Sequence, residues 1–413
     1  MPRILLISPN EICYNARLLK AADFFHDKGW EVTVFNGVTG IAPRKVYDEI
    51  KASRPWDIIE NDISKNKLKS KFKWLLTSLL HKCVQISIDR FKLPLWNRYY
   101  LNKALLLRPN IERANYDYIL IHLIDNLPFA VHLKNKTNAK IIYDSQEYFV
   151  GQYAAFEQNK FKWVKDNEEK FISEVDILLA TTNAMLDQLN KDYQLKIPAF
   201  RVRNVPAFHK IETSDLILDT IFKEEHRTNS IKLVWHGMGI FFNNRRGVHI
   251  LLEAIAQCNE DVHLYLQGNL NETQKLIYND YEQKLNLFDK VTFVPAAHPD
   301  QIVDSLKGYD IGLTGELPEE MNQELTSSNK LFDYIHAGLA VISSDALGLA
   351  ETIDEFNVGL KYEPGNIEEL RDKIDLLASR PIKLKQLKQN SLAAMRQLYW
   401  EKDYQKVLEQ LDI

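Results

Sequence analysis

The chain contains the stretch SSNKLFDYIHAGLAVI at residues 327–342, in which a helical pattern leads directly into a strand pattern. Ser327 and Ser328 can cap a helix, and apolar residues then return at three- and four-residue spacing until Gly338. The β-rich run at 340–342 follows that glycine after a single residue. A helix joined this closely to a strand is typical of a parallel α/β sheet.

Short apolar runs alternate with helical patterns on both sides of this stretch. In the first half, the predicted strands are 4–7, 32–35, 118–121, 141–143 and 177–180. In the second half, they are 233–235, 262–266, 291–294, 311–313 and 340–342. This rhythm predicts an α/β protein with two Rossmann-like, doubly wound domains at 1–207 and 230–392, joined by a polar linker at 208–229. Because open parallel sheets bind ligands at the carboxyl ends of their strands, we expect the domains to face each other across a ligand-binding cleft.

The composition excludes several other classes of protein. With 413 residues, 45% of them hydrophobic and 26% charged, the chain is long enough for two folded domains. Its formal net charge of -4 gives no global attraction to nucleic acid. The three cysteines lie far apart without disulfide or metal spacing, and the first apolar run is too short for a signal peptide or a spanning helix. We therefore expect a cytoplasmic protein.

The amino end of the predicted helix at 327–338 is a candidate phosphate site. Unpaired backbone N–H groups and the helix dipole favour an anion there, and Lys330 adds a cation in the first turn. Asp333 lies one turn further on nearly the same face, where its carboxylate can accept hydrogen bonds from ribose hydroxyls. Ser328, Asn329, Lys330 and Asp333 are therefore predicted to bind a nucleoside diphosphate. The alternative is a surface helix in which Lys330 and Asp333 form an ordinary ion pair.

The pattern Ser-x-Asn-Lys-Leu-Phe-Asp-Tyr-x-x-Ala-Gly-x-x-Val-Ile, which ends at Ile342, resembles the donor-site helix of family-4 glycosyltransferases. Further weak matches follow in the family's order: Gly237 with Arg246-Gly247, 264–268, 291–293, 310–313 and 359–365. The resemblance implies the GT-B fold and a retaining hexosyltransferase that uses a nucleotide-diphosphate sugar, with UDP and GDP the expected nucleotides. It also implies that a C-terminal helix at 393–413 packs back on the first domain.

The resemblance assigns roles to single residues of the second domain. Arg246 would contact the donor diphosphate near Gly237, with Arg245 as the second candidate; the alternative is a solvated arginine pair ahead of a helix. The family's first acidic residue falls on Leu325 here, so another carboxylate must contact the donor sugar. Either Glu316 or Glu324 could supply it, and Glu316, the acid closest to the preceding strand, is our first candidate. The alternative is a purely solvated acidic loop.

In the first domain, segment 121–128 resembles the family segment that carries a histidine and an acid near the reacting sugar. His122 and Asp125 are therefore our catalytic candidates, and the alternatives are a structural histidine and a helix cap. Segment 143–149 resembles the family's Asp-Ser-His-Glu segment, with Gln146 in place of the histidine. A glutamine cannot transfer a proton, so this residue can act only through hydrogen bonds.

The acceptor side is predicted to include Glu147 and three residues after the first strand, Asn10, Tyr14 and Arg17. The loop that contains these three residues resembles the first strand–helix connection of related transferases. It lacks the glycines that a close approach to a dinucleotide pyrophosphate requires, which argues against a dehydrogenase.

The reaction implied by the resemblance needs neither an enzyme nucleophile nor a metal. The leaving diphosphate would accept the acceptor's proton, and positioning and charge neutralisation would dominate catalysis. No Asp-x-Asp pair stands at a predicted strand end, so we predict metal-independent transfer to a glycan or lipid-linked acceptor in polysaccharide or glycoconjugate biosynthesis. Two alternatives remain open: a nucleotide-sugar epimerase of the same fold, and an inactive glycan-binding or scaffold relative.

Residues 65–98 form a basic stretch with nine cations and one acid, Asp89. Cations on an amphipathic helix suit an anionic membrane, so peripheral attachment to the inner face of the plasma membrane is one interpretation. The other is an inserted helical hairpin that buries Trp74, Leu79 and Trp96 while its lysines stay solvated. Nucleic-acid binding is the least favoured, and we expect no nucleic-acid partner.

Overall fold

The computed structural model describes residues 1–8, 11–41, 43–91, 103–109, 111, 115–153, 158–207, 230–237, 240, 246–298 and 301–411. The chain divides into two compact units. The first unit comprises Met1–Val202 with Asp403–Ile413, and the second comprises Arg203–Lys402. The predicted linker at 208–229 lies outside the described residues.

The first unit is built on a seven-stranded sheet with the order β3-β2-β1-β4-β5-β6-β7, in which every described pairing is parallel. Its strands are β1 (Arg3–Ile7), β2 (Glu31–Val38), β3 (Asp57–Asp62), β4 (Tyr118–His122), β5 (Lys140–Ser145), β6 (Ile177–Ala180) and β7 (Ala199–Arg201). Its helices up to β7 are α1 (Ala16–Asp27), α2 (Arg44–Ser53), α3 (Leu68–Phe91), α4 (Leu127–Thr137), α5 (Phe149–Tyr153), α6 (Gln158–Phe171) and α7 (Asn183–Tyr193). Short 3-10 turns lie at Ile12–Tyr14, Lys103–Leu105, Ile124–Asn126 and Ile172–Glu174.

The second unit has a six-stranded sheet with the order β10-β9-β8-β11-β12-β13, again with parallel pairings throughout. Its strands are β8 (Ile231–His236), β9 (Val262–Gln267), β10 (Val291–Val294), β11 (Ile311–Thr314), β12 (Ala340–Ser344) and β13 (Gly359–Tyr362). Its helices are α8 (Val248–Gln257), α9 (Glu272–Leu285), α10 (Ile302–Leu306), α11 (Met321–Leu325), α12 (Asn329–His336), α13 (Leu347–Phe356), α14 (Ile367–Ala378) and α15 (Pro381–Met395).

The last helix, α16 (Trp400–Leu408), ends within the first unit. The ring of its Tyr404 is completely buried and lies 5.5 Å from the ring of Phe24 and 5.9 Å from that of Phe25. Residues 403–413 thus add buried surface to α1.

The central strands explain why the sequence rhythm predicts this fold. Every residue of β4, β11 and β12 is buried, because helices cover both faces of a parallel sheet. Both sheets are doubly wound around their first strands, β1 and β8. The predicted α/β class with two Rossmann-like units is confirmed. Among the residues that the structure describes, no helix is both long and apolar enough to cross a bilayer.

Candidate functional site

The strand order reverses between β8 and β11 in the second unit, and between β1 and β4 in the first. At such a switch point the connections leave the sheet on opposite faces, so the carboxyl ends of the two strands border a crevice where α/β proteins bind ligands. In the second unit these ends carry His236 with Gly237, and Gly315 with Glu316. The predicted donor residues therefore stand where the topology favours a ligand.

Glycines allow the segments around this switch point to approach closely. Gly247, with φ of 65°, precedes α8, and a Cβ added there would overlap the carbonyl oxygen of Gly315. A Cβ added at Gly237 would lie 3.2 Å from Nη1 of Arg246. The structure thus brings Arg246 and Gly237 together, while Arg245 lies outside the described residues.

The first turn of α12 differs from the sequence prediction. Ser328 occupies the N-cap position but makes no side-chain cap; its hydroxyl donates a hydrogen bond to Oε1 of Glu316 at 3.0 Å. Within the described part of the chain, Ser327 Oγ is buried without a hydrogen-bond partner, so the predicted capping by serine hydroxyls is wrong. The helix begins with N–H groups that these serine side chains do not satisfy, which keeps them available to an anion.

Lys330 forms an ion pair with Glu316, and its ammonium lies 5.4 Å from the centre of the Trp235 ring. Burial raises the pKa of Glu316, but the charge of Lys330 and the hydrogen bonds from Lys330 and Ser328 hold it below its ordinary value. Glu316 is therefore ionised at neutral pH. Its second oxygen, Oε2, is buried and has no hydrogen-bond partner among the residues that the structure describes.

Asp333 does not pair with Lys330, so the ordinary surface pair considered from the sequence is excluded. Its Oδ2 lies 3.3 Å from Nε2 of His236. The Tyr334 hydroxyl fixes His236 by accepting a hydrogen bond from its backbone N–H at 3.2 Å and donating one to the Leu313 carbonyl at 3.0 Å. His236 was missed in the sequence reasoning, although its place at the end of a predicted strand, directly before Gly237, was a usable signal.

Asn329 belongs to the same corner of the second unit. Its side-chain oxygen accepts a hydrogen bond from Nδ2 of Asn204 at 3.0 Å. Both residues lie in the second unit. The structure thus gathers Gly237, Arg246, Glu316 and the α12 residues at one end of this sheet.

The first unit carries a second polar cluster at its own switch point. His122 ends β4 and stands opposite Asp144 of β5 in the strand register, and both side chains are completely buried. Nδ1 of His122 lies 2.9 Å from Oδ2 of Asp144. The Arg17 guanidinium donates to both oxygens of that carboxylate, at 2.6 and 2.7 Å, and to the Val202 carbonyl at 2.7 Å.

This network fixes the charge of Asp144 and the tautomer of His122. Burial raises the pKa of Asp144, but the Arg17 charge and the His122 hydrogen bond outweigh it and hold that pKa well below its ordinary value. With its proton on Nδ1, facing the carboxylate, the imidazole has Nε2 as an acceptor, and this atom is buried and has no hydrogen-bond partner among the described residues. Nε2 of the Gln146 amide lies 2.7 Å from the same Nδ1.

The backbone holds His122 in place with local strain. Leu123 has φ of 65° and ψ of 155°, a conformation that non-glycine residues rarely adopt. The Asn126 amide donates hydrogen bonds to the carbonyls of His122, at 3.1 Å, and Ile7, at 3.3 Å. These contacts tie the ends of β1 and β4 together around the histidine.

The other residues predicted from the sequence fall into three groups. Arg17 is 3% exposed and fully engaged by Asp144 and Val202, so it positions Asp144 instead of facing an acceptor. Asp125 lies just beyond the end of β4, and Glu147 lies just beyond the end of β5. Tyr14 is exposed, and its hydroxyl donates a hydrogen bond to the Ile41 carbonyl at 3.3 Å. Asn10 lies outside the described residues. In the described part of the chain, no group of three His, Cys, Asp or Glu side chains is arranged to hold a metal ion.

Comparisons with known proteins agree with this architecture. Residues 241–393 match the sequence model of the family described as glycosyl transferases group 1. The comparison with curated proteins finds no match. Sucrose-phosphate synthase from Thermosynechococcus elongatus is similar in structure, with a TM-score of 0.68 and 16% identity over 99% of this chain and 98% of that one.

Two further solved structures are similar over nearly the whole chain. Anabaena HepE in complex with UDP has a TM-score of 0.64 and 15% identity, with 100% of both chains covered. A mutant of Staphylococcus aureus TarM, in complex with fondaparinux, alpha-GlcNAc-glycerol and UDP, has a TM-score of 0.65 and 10% identity, with 99% of both chains covered. Residues 241–393 are therefore similar to the glycosyl transferases group 1 family, and the chain as a whole has the GT-B fold.

Proposed function

We propose that this chain transfers a hexose from a nucleotide-diphosphate sugar to a glycan or lipid-linked acceptor, with retention of the anomeric configuration. The observation that carries the proposal is the convergence of Arg246, Lys330 and the start of α12 at the switch point of the second sheet. Two cations and a set of backbone N–H groups in one crevice suit a diphosphate. UDP is the first nucleotide to test, because HepE and the TarM mutant were both solved with UDP.

In this proposal Asp333 accepts hydrogen bonds from the ribose hydroxyls, and His236 orients it through the 3.3 Å contact. Lys330 can contact phosphate while staying near Glu316, because an ammonium offers three donors. The ion pair with Glu316 holds the Lys330 ammonium in place before the donor binds. Binding energy is then not spent on ordering a free lysine side chain.

Two buried acceptor atoms without partners are proposed to contact sugar hydroxyls. One is Oε2 of Glu316, which replaces the acid missing at Leu325. The other is Nε2 of His122, whose orientation is set by Asp144. A site built to hydrogen-bond a hydroxyl discriminates strongly against sugars that lack it, because the buried acceptor is otherwise left unpaired.

The proposed reaction needs no covalent enzyme intermediate and no metal. The bond between the anomeric carbon and the diphosphate oxygen breaks, and the acceptor hydroxyl oxygen bonds to the same face of that carbon. The acceptor's proton passes to the departing diphosphate oxygen. Arg246, Lys330 and the α12 N–H groups stabilise the charge that develops on the diphosphate. The proposed setting is polysaccharide or glycoconjugate synthesis in the cytoplasm.

A thermal-shift screen against UDP-, GDP-, ADP- and dTDP-sugars tests the donor site. A ligand at a hundredfold excess over its Kd stabilises the folded state by about 2.7 kcal/mol. Arg246→Gln should abolish the shift, whereas Arg371→Gln, at a partly exposed arginine paired with Asp372, should preserve it. No shift with any donor would refute the proposal.

Product analysis with the donor that binds then separates the remaining functions. Transfer to an acceptor glycan, with the product's anomeric configuration determined by NMR, supports the proposed enzyme. Conversion of the donor sugar without an acceptor would indicate an epimerase. Binding with neither outcome would indicate an inactive relative.

A further inference from the structure

Helix α3 (Leu68–Phe91) packs on the first unit through an unusual face. Its buried residues are Ser70, Thr77 and Val84, each no more than 5% exposed. A seven-residue spacing corresponds to two helical turns, so these three side chains share one face. Two of them are small and polar, and the helix therefore contacts its own unit mainly through hydroxyl-bearing residues.

The opposite face of α3 is apolar and exposed. Its repeat of three and four residues places the large side chains in a single stripe along the helix. Phe72 is 64% exposed and Leu79 is 53% exposed, so Leu79 does not pack into the domain as the hairpin alternative expects. Of the other two residues in that alternative, Trp74 is half-buried and Trp96 lies outside the described residues. We call this the α3 stripe; it consists of Leu68, Phe72, Leu75, Leu76, Leu79, Leu80 and Ile86.

Exposed cations border the α3 stripe. At 100° per residue, Lys71 and Lys82 lie along one side of the stripe, and Lys69 lies near its other edge, between Leu76 and Leu80. Between residues 65 and 90 the sequence has seven cations and a single acid, Asp89. The surface is therefore both apolar and strongly positive.

The combination of an apolar stripe and exposed lysines indicates which kind of partner binds α3. A second copy of the same surface would bring the lysine rows of two chains against each other, which like-charge repulsion disfavours. A nucleic acid would use the lysines but leave the stripe exposed. An anionic bilayer satisfies both, because acyl chains accept the leucines while phosphate headgroups pair with the lysines.

We propose that α3 docks the protein on an anionic lipid bilayer. The helix has 24 residues, about 36 Å at 1.5 Å per residue, and lies along the surface with its stripe among the upper acyl carbons. The buried Ser70, Thr77 and Val84 keep the helix attached to the unit. This proposal rests on the first unit alone, so it is independent of nucleotide binding by the second.

Vesicle flotation of the full chain tests the proposal. The probes are vesicles of phosphatidylcholine alone and of phosphatidylcholine mixed with phosphatidylglycerol, at low and high salt. One variant, Phe72→Ser/Leu79→Ser, removes the apolar contact, and a second, Lys69→Gln/Lys71→Gln/Lys82→Gln, removes the charge. The matched controls are Ile382→Ser, at a site that is 87% exposed, and Lys45→Gln, at an exposed lysine elsewhere.

We expect the wild-type chain to float with the mixed vesicles and to be released by salt, since headgroup attraction is screened. Each multiple variant should bind at least about tenfold more weakly, and both controls should bind like the wild type. Far-UV circular dichroism and the thermal unfolding of every variant report whether the chain is folded.

Three outcomes would overturn the proposal. The first is no flotation of the wild type with mixed vesicles. The second is equal binding by the Phe72/Leu79 variant, which would leave the stripe without a role. The third is a self-association that this variant abolishes without any vesicle binding, which would assign the α3 stripe to a second copy.

Discussion

Lys330 is paired with Glu316, which lies on a different segment, and not with Asp333, which lies one turn further along its own helix. The helix α12 therefore presents two functional side chains that are held independently. Asp333 contacts His236, and Lys330 contacts a carboxylate whose second oxygen is unpaired. Each of these links connects α12 to the end of a central strand, β8 or β11.

Lys330→Ala should destabilise the protein and abolish nucleotide binding. It leaves Glu316 as a largely buried carboxylate without its counter-ion, at a cost of about 3–5 kcal/mol. The double variant Lys330→Ala/Glu316→Gln removes both charges and should recover most of that stability, but not the binding. Urea unfolding and calorimetry with a nucleoside diphosphate measure the two effects. Equal instability of the single and double variants would contradict the coupling.

Gly247→Ala should destabilise the protein and weaken diphosphate binding together. Its Cβ would overlap the Gly315 carbonyl, and its φ of 65° is unfavourable for alanine. Gly308→Ala is the matched control, because its φ of 93° imposes strain but no heavy atom lies within 4 Å of the added Cβ. We expect roughly 1–2 kcal/mol of destabilisation and normal binding for the control. A similar loss in both variants would show that backbone conformation, not close approach, dominates at Gly247.

Asp333→Asn should weaken nucleotide binding while leaving the fold intact. A hydrogen bond to a charged group contributes about 1.5–3 kcal/mol, so the affinity should fall roughly tenfold to a hundredfold. Asp372→Asn, at an exposed aspartate paired with Arg371, is the control and should bind normally. A deoxyribonucleotide that lacks the ribose 2′-hydroxyl extends the test. If Asp333 contacts that hydroxyl, the deoxyribonucleotide should bind more weakly than the ribonucleotide to the wild type. The two nucleotides should bind about equally to Asp333→Asn.

The sequence predicted the central strands well because helices bury them on both faces. Ile177–Ala180, in which all four residues are buried, was predicted with its observed bounds. The edge strand Val291–Val294 was also predicted with its observed bounds. The three strands that were missed, β3, β7 and β13, are all edge strands. An edge strand has a neighbour on one side only and needs less apolar surface, as in the sequence DIIEND of β3.

The candidate site was only partly predictable because its contacts are long-range. Lys330 and Asp333 were found from local helical spacing. Asp144 is 127 residues from Arg17 along the chain, and only the parallel register of β4 and β5 brings it beside His122. Such pairs depend on strand order, which the hydrophobic rhythm does not specify.

His122→Asn should reduce sugar transfer but preserve the fold and nucleotide binding. An asparagine amide can replace Nδ1 as the donor to Asp144, yet it offers nothing at the position of Nε2. Loss of one hydrogen bond to a sugar hydroxyl should lower kcat/KM roughly tenfold to a hundredfold. Steady-state kinetics and nucleotide titration check this result. Unchanged kcat/KM would exclude Nε2 of His122 from the reaction.

Glu168→Gln should change the pH dependence of stability. Glu168 is completely buried on α6, where it accepts hydrogen bonds from Tyr193 at 2.9 Å and Tyr143 at 3.3 Å. Burial raises its pKa to about 7, although those two hydrogen bonds act in the opposite direction. The folded state therefore holds a proton that the unfolded state has already lost above about pH 4.3.

The sign of the effect follows from proton linkage. Between about pH 4.3 and pH 7 the folded wild type binds more protons than the unfolded chain, so its stability falls as the pH rises, by up to ~1.4 kcal/mol per pH unit. Well above pH 7, the stability that protonated Glu168 contributes to the folded state is lost completely. Urea unfolding should show Glu168→Gln gaining stability relative to the wild type from pH 5 to pH 7 and then levelling off. The control is Glu169→Gln, at a neighbouring half-exposed site, which should show no such gain. A stability difference between Glu168→Gln and the wild type that does not change with pH would contradict the prediction. It would mean that Glu168 is ionised in the folded state throughout this range.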